Sequence, residues 1–160
     1  MRKWGFVFSL LCLMGFCVAG AMMASAEEPA AKTIEWCRLQ HPQTVTAQAK
    51  NKSELVYGQL YIPGCSEGEK VCKGVKAELC IFPKGGDYTR STCFPAKVNP
   101  MFSTDNNNDE YMTQAYSPVA GEFSMFYKFS LDEGRSWEYC DFDDEKGFDV
   151  SKTGTFIVTE

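Results

Sequence analysis

Three groups of side chains in this sequence have the types and spacings to do chemistry. The first is the acidic run Asp141-Phe142-Asp143-Asp144-Glu145, with Asp149 four residues further on. Hard carboxylate oxygens at short, alternating spacing are what a Ca²⁺ loop uses, so Asp141, Asp143, Asp144, Glu145 and Asp149 form a candidate calcium set. An EF-hand frame begun at Asp141 would need Gly at its sixth position and Glu at its twelfth. Lys146 and Lys152 stand there instead, no helical pattern flanks the run, and a solvated acidic loop is the plain alternative. The second group is aromatic: Trp36, Trp137, Tyr57, Tyr61, Tyr88, Tyr111, Tyr116 and Tyr139 offer flat faces for sugar rings where polar neighbours can take the hydroxyls. Asp105, Asn107 and Asp109, in a polar run leading into Tyr111, make a candidate binding loop. Both tryptophans lie within three residues of a cysteine, where packing is the competing role.

The third group is the cysteines, and the amino terminus decides how they are read. Met1, Arg2 and Lys3 are followed by a nearly uninterrupted apolar stretch from Trp4 to Gly20, then by Ala24-Ser25-Ala26. That is the pattern of a secretory signal peptide cut after Ala26, leaving a leader over residues 27–35 and one domain over residues 36–160. Cys12 and Cys17 leave with the signal. Six cysteines remain, an even number in a chain sent to an oxidising compartment, secreted or periplasmic. A zinc site is the competing reading, but paired C-x-x-C elements are missing and His41 is the only histidine.

Catalysis needs a base, a nucleophile or a metal held together. With one histidine, no nucleophile motif and every mature cysteine expected in a disulfide, the usual constellations are missing. The carboxylate pairs at Asp132-Glu133 and in the acidic run fall on turns. The expectation is therefore a protein that is not an enzyme, with no cofactor beyond the calcium candidate. Losing Arg2 and Lys3 takes the formal net charge of −5 two units further negative. Without a basic cluster along the chain, neither nucleic acid nor an anionic membrane is an expected partner.

These groups need elements to position them, and the clearest is a long hairpin over Ala120–Phe142. Phe123, Met125, Tyr127 and Phe129 alternate with Ser124, Lys128 and Ser130, the period of a half-buried strand, with Phe126 as the exception. Asp132-Glu133-Gly134 supplies the turn. Trp137 and Tyr139 then face the core, opposite Glu138 and Cys140. Leu55–Ile62 and Gly74–Phe82 are further strands, and Tyr88–Val98 returns beside the latter with Pro95 at a bulge or edge. Tyr111–Tyr116 and Thr155–Thr159 complete the set, while Thr44–Ser53 reads as a polar loop or a weak strand. Seven to eight antiparallel strands and no amphipathic helix predict an all-β, disulfide-stapled β-sandwich of the immunoglobulin-like kind. Cys80 and Cys93 fall on two arms of one hairpin, Cys65 and Cys72 close a loop, and Cys37 is left with Cys140.

Trp36-Cys37-Arg38-Leu39-Gln40-His41-Pro42, Val56–Gly64, Asn107–Tyr111, Ala120-Gly121-Glu122-Phe123 and Ser136–Asp141 follow one another in an order that resembles an accessory immunoglobulin-like β-sandwich module of secreted bacterial proteins. Such modules are often appended to extracellular hydrolases, and the resemblance spans Trp36 to about Val158. It implies cysteines at both Cys37 and Cys140, a non-catalytic binding role, and an extracellular glycan or a cell-envelope protein as partner. Two features depart from that pattern: no catalytic domain is attached, and Glu145-Lys146-Gly147 lengthens the loop after Cys140. The function of a neighbouring hydrolase is therefore not carried over.

Overall fold

A computed structural model describes residues 32–68, 70–102 and 107–160. The signal-peptide reading of residues 1–26, the start of the leader and the candidate residue Asp105 lie outside the described residues. Nine strands follow in order: β1 (Trp36–His41), β2 (Thr44–Gln48), β3 (Lys52–Tyr61), β4 (Lys76–Pro83), β5 (Thr92–Val98), β6 (Asp109–Tyr116), β7 (Gly121–Ser130), β8 (Glu138–Cys140) and β9 (Gly154–Thr159). No α-helix occurs among the described residues, and Tyr88–Arg90 and Val150–Lys152 are single 3₁₀ turns opened by Asp87 and Asp149.

The strands form one path, β1-β3-β6-β5-β4-β7-β9-β2, with β8 on the side of β7. Two places carry this path around the core. In β5, Thr92–Ala96 pair with β4 while Lys97 and Val98 pair with β6. At the amino terminus β1 pairs with β3, but β2, just past Pro42, pairs with β9. Consecutive stretches of chain thus hold the two ends of the path, and the sheet is nearly closed and barrel-like. The β2–β9 pairing is parallel, which corrects the expectation of antiparallel strands throughout. The strand at Thr44–Gln48 is firm rather than weak: Val45 and Ala47 turn inward against Thr44, Thr46 and Gln48, an alternation too short to stand out in the sequence.

Inside, Met125, Tyr127 and Phe129 of β7 meet Leu39, Val56, Leu60, Leu79 and Phe156 in one buried cluster. Tyr127 lies across the core against Gly58, where an added Cβ would come within 2.5 Å of the phenol ring. Its hydroxyl donates to the Val56 carbonyl at 2.8 Å, so the polar end of a buried aromatic finds a partner. Phe126, the exception to the alternation, is the centre of a second cluster on the outer face, with Cys80, Phe82, Tyr88, Tyr139 and Phe148.

That second cluster corrects the reading of the hairpin's return arm. In the register, Tyr127 pairs with Cys140 and Lys128 with Tyr139, so Cys140 shares the inward face of Tyr127 and Tyr139 joins Phe126 outside. The arm is also shorter than expected. It leaves the sheet at Asp141, and β9 resumes the pairing along Gly121–Met125. Three bridges lock the layout: Cys37–Cys140, Cys65–Cys72 and Cys80–Cys93, closing sequence separations of 103, 7 and 13. These are the pairs the strand layout implied, and their number belongs to an oxidising, extracytoplasmic environment.

Candidate functional site

On β3, Val56 and Leu60 point into the core, so Tyr57, Gln59 and Tyr61 point outward. On β1, Leu39 is buried and Cys37 packs inward against the same core, which sends Trp36 and Arg38 to the same outer face. The register then sets Trp36 opposite Tyr61, Arg38 opposite Gln59 and, past a bulge, His41 opposite Tyr57. Gln59 is in turn opposite Glu110 of β6, and Tyr57 opposite Met112.

A chain of hydrogen bonds runs between the aromatic pairs. Arg38 Nη1 donates to Asp144 at 2.6 Å and Nη2 to Gln59 Oε1 at 3.3 Å. Gln59 Nε2 donates to Glu110 Oε2 at 3.3 Å, and Asn99 Nδ2 to Glu110 Oε1 at 2.6 Å. Gln59 and Glu110 are each only 4% exposed although they face outward, because their neighbours lie over them. Buried polar groups of this kind are tolerated only when paired. Arg38 Nε and Gln40 Oε1, both on β1, are buried atoms without a hydrogen-bond partner among the described residues.

The aromatics at the ends are held from one side. The Arg38 guanidinium lies 5.2 Å from the centre of the Trp36 ring, a cation–π contact. His41 stacks on Tyr57 with ring centres 4.4 Å apart. The Tyr61 hydroxyl donates to Glu67, which raises the phenol's pKa. Tyr57 and Tyr61 are four residues apart on one strand, a span of about 13 Å. The face therefore presents two aromatic platforms with a rigid polar strip between them.

Other expected site residues fall elsewhere. Asn107 is exposed, but Asp109 and Tyr111 are buried, at 5% and 3% exposure, and this corrects the binding loop. Asp109 accepts from the Cys72 N–H at 2.8 Å, and burial raises its pKa against the pull of that bond. Tyr111 packs edge-on against Phe129 at 5.5 Å. The tyrosines Tyr88 and Tyr139 belong to the outer aromatic cluster. Trp137 carries the Lys128 ammonium 4.2 Å from its ring centre, and it lines an open cleft of about 720 Å³ with Ile34, Phe129 and Leu131.

The acidic loop does not converge on one point, which corrects the calcium set. Asp141 is buried and turns both oxygens to backbone, accepting from the N–H groups of Asp143 and Asp149. Burial still raises its pKa. Asp144 pairs with Arg38, and Asp149 caps the following turn through Ser151. Lys152 places its ammonium between Asp143 and Glu145, so a side chain supplies the cation. Among the described residues the one convergent group of ligand types is Glu78, Cys80 and Cys93, and its two sulfurs are bonded to each other.

Sequence reasoning did not single out Arg38, Gln59 or Glu110. Any strand over Leu55–Ile62 sets Tyr57, Gln59 and Tyr61 on one face, but what lies beside them depends on the register of three strands.

No family model, curated protein or solved structure matches the chain. Among the described residues no helix is long and apolar enough to cross a membrane.

Proposed function

We propose that this protein is an exported, non-catalytic recognition module of immunoglobulin-like topology that binds an extracellular glycan across the outer face of β1, β3 and β6. The observation that carries it is the register. It sets Trp36 beside Tyr61 and His41 beside Tyr57 at opposite ends of the Arg38–Gln59–Glu110 strip. Aromatic faces hold sugar rings by their apolar sides, and fixed polar groups between them select hydroxyl positions. The strand path, with β1 on β3 and β2 parallel to β9, supports the sandwich topology. The signal-like start and three bridges support export to the periplasm or cell exterior. A glycan array probed with the oxidised protein tests the reading: hits above background are expected, and a blank array would refute it.

A second reading, a structural or interaction component of the cell envelope, draws on one feature of the sheet. β5 and β6 pair through Lys97–Met112 and Val98–Tyr111, a short seam beyond which the facing edges of the two strands are a place where a partner strand could add. Capture of a defined envelope protein together with a blank array would select it.

A further inference from the structure

Lys70 and Lys73, three residues apart, are joined by Lys97 through the fold. With Val71, Val75 and Val98 they line an open groove of about 570 Å³, in which no carboxylate is present among the described residues. Three ammonium groups lining one groove stand out on a chain of net negative charge. The Cys65–Cys72 bridge and the Cys72 N–H bond to Asp109 fix the segment carrying Lys70 and Lys73 against β6. The end of β5 brings Lys97.

One lysine of the groove, Lys97, shares a register row with the aromatic face. Lys97 is the register partner of Met112, which is the partner of Tyr57. Lys70 and Val71 also share a small recess with Asn99 and Glu110, the last two members of the polar strip. The Tyr61 hydroxyl is tied to Glu67, which belongs to the same disulfide-closed loop as Lys70.

We propose that the ligand of this face is an acidic glycan, whose carboxylate or sulfate groups lie on Lys70, Lys73 and Lys97 while a neutral part of the chain rests on the aromatic platforms. The proposal rests on the glycan reading given above and adds the charge of the ligand. Ammonium groups act as point charges with three donors each, and at exposed positions their attraction is screened by salt. Lysine contacts of this kind change affinity by about two- to five-fold each.

The test uses an array of acidic and neutral glycans, then titration of the oxidised protein with the acidic glycan that binds best and with the same glycan after methyl esterification of its carboxylates or removal of its sulfates. Expected are hits confined to acidic glycans and a loss of about tenfold on neutralising the ligand. A similar loss is expected in the Lys73→Gln/Lys97→Gln variant, and the difference should vanish near about 0.5 M salt. Hits among neutral glycans, or equal binding of the charged and neutralised forms, would overturn the inference and leave the glycan reading standing. A blank array would overturn both. Both lysines are exposed, so an unchanged thermal melt separates lost binding from lost folding.

Discussion

Gln59 and Glu110 face outward from adjacent strands yet are shut off from solvent, with Gln59 Nε2 donating to Glu110 Oε2 at 3.3 Å. This pair fixes the middle of the proposed binding face. Glu110 also accepts from the half-buried Asn99, so Glu110→Ala would strand the buried Gln59 donor and a half-buried one at once. The expected loss is about 1 to 3 kcal/mol in chemical denaturation. Glu110→Gln keeps an acceptor and should lose less.

Gly58 gives Tyr127 its place in the core. A Cβ there meets the phenol ring at 2.5 Å, and the ring is tethered through its hydroxyl to the Val56 carbonyl. Gly58→Ala should destabilise by about 1 to 3 kcal/mol through overpacking. Gly58→Ala combined with Tyr127→Ala should recover part of the Gly58 cost, measured as a non-additive double-mutant cycle.

The long bridge should matter most. Cys37–Cys140 closes a separation of 103 residues and Cys65–Cys72 one of 7. On the chain-entropy model these contribute about 4 to 5 and about 2 to 3 kcal/mol respectively. Replacing each pair by serine and comparing urea midpoints gives the order, and an equal loss from both would contradict it.

The hairpin turn predicts a pH dependence. Asp132 accepts from the hydroxyl and N–H of Ser136 and from the Ser130 hydroxyl, and these bonds hold its pKa well below the usual carboxylate value. A depressed folded-state pKa contributes stability that is complete above the unfolded pKa of about 3.9 and lost as pH falls through the lower folded value. Wild type and Asp132→Asn should therefore differ in melting temperature at about pH 5 and converge towards about pH 2.

Much of this architecture was legible in the sequence, for reasons the structure makes plain. Met125, Tyr127 and Phe129 form a long alternation with one apolar face, and Asp132-Glu133-Gly134 make the turn with Glu133 and Gly134 at positive φ. Cys80–Cys93 and Cys65–Cys72 followed from proximity along a hairpin and a loop, and Cys37–Cys140 was the pair left over. Cys140 was assigned to the wrong face because Trp137 and Tyr139 look like core residues. They are half-buried against Lys128 and Phe126 instead, on a sheet whose outer side has a cluster of its own. The site was least legible. The Trp36–Tyr61 pair and the Arg38–Gln59–Glu110 strip arise from strands far apart in the chain, and the lysines of the groove meet only after folding. Asp109 and Tyr111 lie in a polar stretch, but the bond to the Cys72 N–H draws Asp109 inward.

The central claim is that the outer face of β1 and β3 binds a glycan through Trp36 and Tyr61. Its most direct test is titration of the array-selected glycan into wild type, Trp36→Ala, Tyr61→Ala and, as a control away from this face, Trp137→Ala. Each of the first two variants should weaken binding by about tenfold or more with its fold retained by circular dichroism, and Trp137→Ala should bind as wild type does. Unchanged affinity in Trp36→Ala and Tyr61→Ala would contradict the account.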